Sequence, residues 1–214
     1  MKKASHTREF PATETSALIH QLAATLYLEL ACYRQSGIHW LSMPGDKRVE
    51  NPAPTFSLGR CVNGLVFVRQ CPSAAEMQNG NPFSDAEGGL LQKIMSAMRL
   101  DTQEGYFTYL FKHPVDGAKV DPVEIQNHIT RLEGELAPLS PRVVVSFGEQ
   151  LSAWLTGKDS PIEDLRGREF LFLENIPLLA SWSPGLLLRQ PEYKKPVWQD
   201  MQKALQLLNS SPVS

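Results

Sequence analysis

Hydrophobic positions first recur at helical spacing between Thr15 and Ser36, where Leu18, Leu22, Leu26, Leu30 and Tyr33 fall three or four residues apart before Gly37. That spacing predicts an amphipathic helix. From Met43 to Gly59 the pattern dissolves into Pro44, Gly45, Asn51, Pro52 and Pro54 among charges, the composition of a surface connector. Beyond it, short β-branched or aromatic runs alternate with longer amphipathic stretches. Residues 65–68, 106–111, 143–147 and 176–182 read as strands, with Pro177 among the first residues of the last. Ser84 with Glu87, and Asp121 with Pro122 and Glu124, read as capping-box helix starts. The faces Leu90, Leu91, Ile94, Met95, Met98 and Ile125, Ile129, Leu132, Leu136 follow at helical period. Further helices are expected over 149–155 and 193–208.

Strands that alternate with helices predict an α/β fold: three layers, α/β/α, around a central, mainly parallel four-stranded sheet. The expected organisation is a helical arm and connector over residues 1–59, an α/β domain over 60–208 and a tail over 209–214. A length of 214 residues suits one such domain.

Composition narrows the function only by exclusion. Hydrophobic residues are 42% and charged residues 21% of the chain, which excludes wholesale disorder. The 21 Lys and Arg against 23 Asp and Glu give no support for strong non-specific phosphate binding, so any contact with DNA is expected to be local and weak. The three cysteines, Cys32, Cys61 and Cys71, are odd in number and lack C-x-x-C spacing, which argues against a disulfide framework or a four-thiolate metal site. A reducing cytoplasm is the expected setting. The basic start runs into Thr7, Arg8 and Glu9, unlike a secretory signal, and no apolar run nears the roughly 20 residues of a membrane span.

In an open parallel sheet, ligands bind beyond the carboxyl ends of the strands. This singles out residues 69–83, 112–114, 148–150 and 183–189. These segments carry Gly80-Asn-Pro-Phe83 with Gly88-Gly-Leu-Leu91, Tyr106-Phe-Thr108 with Lys112, Pro141-Arg-Val-Val-Val-Ser-Phe-Gly148, Leu165-Arg-Gly167, and Pro184-x-x-Leu-Leu-Arg189 with Trp198-x-Asp200. In that order they resemble the family 4 uracil-DNA glycosylases, from about Leu65 to Leu208. The resemblance implies the glycosylase fold and a site that flips a base into a pocket, reads its edge and stabilises charge as the glycosidic bond breaks.

Against the family's pattern, the expected chemistry is absent. Its G-E-A-P-G loop stands here as Arg69-Gln70-Cys-Pro-Ser73, so neutral Gln70 replaces a carboxylate and cannot act as a general base. Its base-reading Asn aligns with Tyr109, whose hydroxyl lacks an amide's paired groups. Its His-Pro is Ser183-Pro184, and loss of one charge-stabilising donor typically costs about 100- to 1000-fold in rate. The family's iron–sulfur cluster needs four cysteines, and Asn127-His128 stands where one is expected, so no cofactor and no metal are expected.

Other residues carry paired readings. Phe83 is the expected stacking aromatic or a core residue, and His113 a compensating base or an ordinary loop residue; with Tyr109 they form the base-pocket set. His128 reads as a partly buried helix residue. Lys112 and Arg189 read as phosphate contacts or as surface charges. Trp182 and Trp198 read as packing residues, and Cys71 as an inert small residue or a pocket thiol.

Tyr33-Arg-Gln-Ser-Gly-Ile-His-Trp40 resembles the start of the psi subunit of the bacterial clamp loader, which also carries Ser-Pro in place of His-Pro. That likeness implies clamp-loader partners, a chi subunit among them, engaged through Ile38 and Trp40, unless these residues are a helix stop and an anchor on the body. Two functions are therefore expected. The first is a non-catalytic relative of the glycosylases with a binding or assembly role in DNA replication or repair, and the alternative is a divergent DNA glycosylase acting on uracil or another deaminated base. The second expects Phe83 and Tyr109 to face each other across a pocket.

Overall fold

A computed structural model describes residues 56–115 and 120–210. The expected helix over 15–36, and Ile38 and Trp40 with it, lie outside the described residues, as do most of the connector and the last four residues.

The described chain builds six strands and seven α-helices. The strands are β1 (Leu58–Gly59), β2 (Leu65–Arg69), β3 (Tyr106–Tyr109), β4 (Val143–Phe147), β5 (Glu169–Phe172) and β6 (Ile176–Ser181). The helices are α1 (Ala74–Asn79), α2 (Ala86–Ala97), α3 (Pro122–Leu136), α4 (Glu149–Thr156), α5 (Ile162–Leu165), α6 (Pro184–Arg189) and α7 (Lys194–Ser210). They form one sheet in the order β1-β3-β2-β4-β6-β5. The four expected strands are its centre, all parallel, and β1 and β5 are added at the two edges, both antiparallel. The α/β class and parallel core agree with the sequence, while the sheet is mixed and wider than four strands.

Alternation along the strands sets the layers, because successive side chains leave opposite faces. Leu65, Phe67, Val143, Val145, Phe147 and Leu179 pack beneath α2 and α7. Val66, Val68, Val144 and Leu178 pack on the other face against Ile129, Leu132 and Leu136 of α3 and Leu151 and Leu155 of α4. β2 and β4 are buried at every position, as strands covered on both faces must be.

The two edge strands escape a reading by pattern for local reasons. β1 is two residues long and pairs Leu58 with Phe107 and Gly59 with Tyr106, which draws part of the expected connector into the sheet. β5 and β6 form a hairpin whose turn places Leu173 and Glu174 at φ 47° and 66°. Such turns normally carry Asn or Gly, and neither stands at those two positions here. Pro177 pairs only towards the edge, opposite Leu171.

Helix starts show two corrections. Asp121 caps α3, accepting from the Val123 N–H at 2.7 Å, as a plain N-cap in place of the expected capping box with Glu124. At α2 the cap is Asp85, which accepts from the Gly88 N–H at 2.7 Å, while the Ser84 hydroxyl turns back to donate to the Asn81 carbonyl. The capping box lies one helix earlier: Ser73 Oγ accepts from the Glu76 N–H, and the Glu76 carboxylate accepts from the Ser73 N–H. Gly88 packs so tightly on the backbone of Pro82 and Phe83 that no side chain fits there.

Leu132 is almost wholly enclosed between α3 and the sheet. Leu132→Ala is expected to lower stability by about 2–5 kcal/mol, read as a shift of the urea midpoint at unchanged slope.

Candidate functional site

The carboxyl ends of β2, β3, β4 and β6 lie side by side and bring together the four segments that the sequence singles out. At the β2–β3 end, Arg69 pairs in register with Tyr109, and both point to the α2 face, as Phe67 and Phe107 do. Arg69 Nη1 donates to Glu76 Oε1 at 2.6 Å and to the Tyr109 hydroxyl at 3.3 Å, while Nη2 donates to Glu87 Oε2 at 2.8 Å. Asp85 stands 3.9 Å from the same guanidinium. Tyr109 in turn donates to Glu76 Oε1 at 2.9 Å. Glu76 is fully enclosed at 0% exposure, so its charge rests entirely on these partners. Burial pushes the Glu76 carboxyl above its ordinary range, against the pull of Arg69 and of the Ser73 N–H. Burial likewise raises the Tyr109 phenol, which remains neutral and able to donate.

The base-pocket residues do not gather as expected. Phe83 packs edge-on against Phe107 at 4.6 Å between centroids and is a core residue. The ring partner of Tyr109 is Phe56, at 5.5 Å, with Arg69 5.3 Å from its centroid. Phe83 and Tyr109 therefore do not face each other across an open pocket, because Arg69 and Glu76 take up the space beside Tyr109. His113 is exposed, 6.1 Å from the ring of His128, which itself leans on Phe111. Burial lowers the pKa of His128.

Of the two cations expected at DNA, Lys112 is buried and committed inward: its ammonium donates to Thr108 Oγ1 at 2.5 Å and lies 2.6 Å from Glu135. That geometry does not present it to a phosphate. Arg189 is exposed in the last turn of α6. Trp182 packs on Tyr193, and Trp198 is partly exposed on α7.

At the β4 and β6 ends, Gly148 adopts φ 102°, a value open to glycine and strained for other residues, and its N–H donates to the Ser181 carbonyl at 2.9 Å. Ser183 caps α6, its Oγ accepting from the Leu186 N–H at 3.3 Å. Ser181 Oγ donates to the buried Asp200, which Arg166 also holds. Between β2 and β4, Gln70 Nε2 donates to Gln150 Oε1 at 3.0 Å, and both residues are half-buried. The network residues Glu76 and Glu87 and the partner Gln150 were not among the expected site residues. Ser73-x-x-Glu76 carried the one available signal, a capping box directly after β2.

The strand-end segments all lie within a span that matches a known family. The family model described as Uracil DNA glycosylase superfamily matches residues 56–202. The chain belongs to that superfamily. Among its relatives, the type-4 uracil-DNA glycosylase of Archaeoglobus fulgidus is 22% identical over 147 residues, covering 65% of this chain and 74% of the relative. That of Sulfurisphaera tokodaii is 24% identical over 152 residues, covering 67% and 69%. That of Saccharolobus solfataricus is 21% identical over 159 residues, covering 70% and 74%.

These relatives correct the leading expectation of a non-catalytic binding or assembly protein, because each of them, aligned over about two thirds of this chain, bears an enzyme's name. Gln70, Tyr109 and Ser183 mark changed residues, and a changed residue set is not an absent activity. Ile38 and Trp40, which carried the likeness to psi, lie outside both the matched span and the described residues.

Among the described residues, the cysteines do not fit an iron–sulfur cluster. Cys61 is buried in the turn before β2, where desolvation pushes its thiol up to about 11, and Cys71 follows β2 with its Sγ towards the Val115 carbonyl. Among the described residues no three His, Cys, Asp or Glu side chains converge to hold a metal, and no helix is long and apolar enough to cross a membrane.

Arg69→Met is expected to cost about 3–5 kcal/mol at neutral pH, since it strands the Glu76 carboxylate in the core. The sign follows from a folded-state pKa raised above the unfolded one: stability is retained below the ordinary carboxylate range of about 4.3 and lost as pH rises through the raised value. Urea titrations of the variant at neutral pH and near pH 4.5 should therefore show a smaller deficit at the lower pH.

Proposed function

We propose that this protein is a divergent DNA glycosylase that removes uracil or another deaminated base. The observation that carries the reading is the family match from residue 56 to 202, which takes in every strand end of the site. The names of the aligned relatives support it.

Hydrolysis of an N-glycosidic bond adds water's hydroxide to the sugar C1′, while the base leaves with the bonding pair and takes up a proton. Positive charge develops on the sugar and negative charge on the base. Three carboxylates, Glu76, Glu87 and Asp85, surround the single guanidinium of Arg69, which leaves excess negative charge on the β2–α2 side of the site. Fixed charge of that sign favours a sugar cation. Of the two carboxylates bonded to Arg69, solvent reaches Glu87, whose side chain is 36% exposed, and it is the group assigned to the sugar and the attacking water. The Ser183 hydroxyl, with its oxygen accepting at the α6 cap, keeps its proton to donate to the departing base.

The test is strand scission at abasic sites after incubation with single- and double-stranded oligonucleotides carrying uracil, hypoxanthine or xanthine. Product on at least one base is expected, and Glu87→Gln should reduce it about 100-fold or more with the unfolding midpoint essentially retained. A folded sample that releases none of the three bases overturns the reading.

A further inference from the structure

Along the central strands, in the order β3-β2-β4-β6, chain progress reverses direction between β2 and β4. In open parallel sheets the ligand crevice lies beyond the strand ends at such a reversal. Gln70 follows β2 and Gln150 stands in the first turn of α4, and their amides meet across that crevice. The neighbouring polar groups are already engaged. Arg69, Glu76 and Tyr109 bind one another on the β3 side, and Ser181 and Asp200 bind each other at β6. The glutamines are half-buried, not enclosed, and each uses one amide group on the other. Whichever amide donates, the pair keeps a carbonyl acceptor and N–H donors to offer a ligand.

We propose that Gln70 and Gln150 read the edge of the base, and that Gln150 is a specificity-determining residue. This rests on the glycosylase reading and deepens it. Deaminated bases present a lactam edge, an N–H beside a carbonyl, which an acceptor and a donor held side by side match. Uracil and xanthine carry a carbonyl on each side of that N–H, and hypoxanthine carries one. Gln150→Glu removes a donor and places a carboxylate against a base carbonyl, so it penalises the two-carbonyl bases more.

The experiment measures kcat/KM on uracil, hypoxanthine and xanthine strands for the wild type, Gln150→Ala and Gln150→Glu. In parallel it measures binding to strands carrying 2′-fluoroarabino-uridine, whose fluorine blocks cleavage, or a plain abasic analogue. Gln150→Ala is expected to lower kcat/KM about 10- to 100-fold on the preferred base. It should also erase the binding preference for the fluorinated uridine over the abasic analogue. Gln150→Glu is expected to shift the ratio of uracil to hypoxanthine turnover. Active variants with an unchanged ratio and unchanged binding preference overturn the inference and leave the glycosylase reading standing, as does a uniform loss that tracks reduced stability. A wild type that cleaves nothing but prefers the fluorinated uridine through Gln150 keeps the inference and removes the glycosylase reading. Neither cleavage nor preference removes both.

Discussion

The strand-end loop of this protein is organised by one buried ion pair, Arg69 with Glu76, 2.6 Å apart. A carboxylate enclosed as completely as Glu76 is tolerable only if its lone pairs are filled, and here Arg69, the Tyr109 hydroxyl and the Ser73 N–H fill them. The same contacts fix the direction of the chain after β2, start α1, and tie β3 to β2 at the Arg69–Tyr109 pair. Glu87 extends the guanidinium's reach to α2 and lies against Gly185 of α6, so three helices are referenced to one side chain. Breaking the pair would unsettle the loop, the first turns of two helices and the position of the neighbouring Gln70 together.

That arrangement explains how Arg69 can stand at a position where the resembling family has glycine. A long cation beside a flipped base would obstruct it unless held aside. Glu76 and Glu87 hold it between them, from the core and from the rim. The cost is the space beside Tyr109, and on the proposed reading base recognition moves along the sheet. The crevice between β2 and β4 is where unspent hydrogen-bonding groups remain, and it is also where the topology places a ligand.

The central sheet was legible because its strands are largely buried on both faces and read as short runs rich in β-branched, aliphatic and aromatic residues, and α3 because its face and its Asp121 cap agree. β1 and β5 were not, since two residues carry no period and the β5–β6 turn uses Leu173 and Glu174 where turn residues are usual. In the site, the departures at Gln70, Tyr109 and Ser183 were visible residue by residue. Their meaning was not, because a list of lost groups does not show what replaces them. Glu76 lies three residues beyond the altered loop, and Gln150 is eighty residues from Gln70; only folding brings each to its partner.

Lys112 makes the same point from the opposite direction. Its sequence position beside a strand end suggests a phosphate contact, yet it satisfies Glu135, whose carboxylate also accepts from Thr108 and Tyr106 on the α3 face. Burial drives the Lys112 ammonium's pKa down while Glu135 supports its charge, so the two are placed there as one unit. Removing it would expose Glu135 as an unpaired buried charge and disturb β3 before any DNA contact was tested. The site is thus flanked by two internal ion pairs, Arg69–Glu76 on one face of the sheet and Lys112–Glu135 on the other. The amide pair at its centre carries no charge, as suits a group that must exchange one hydrogen-bond partner for another without the penalty of stranding an ion.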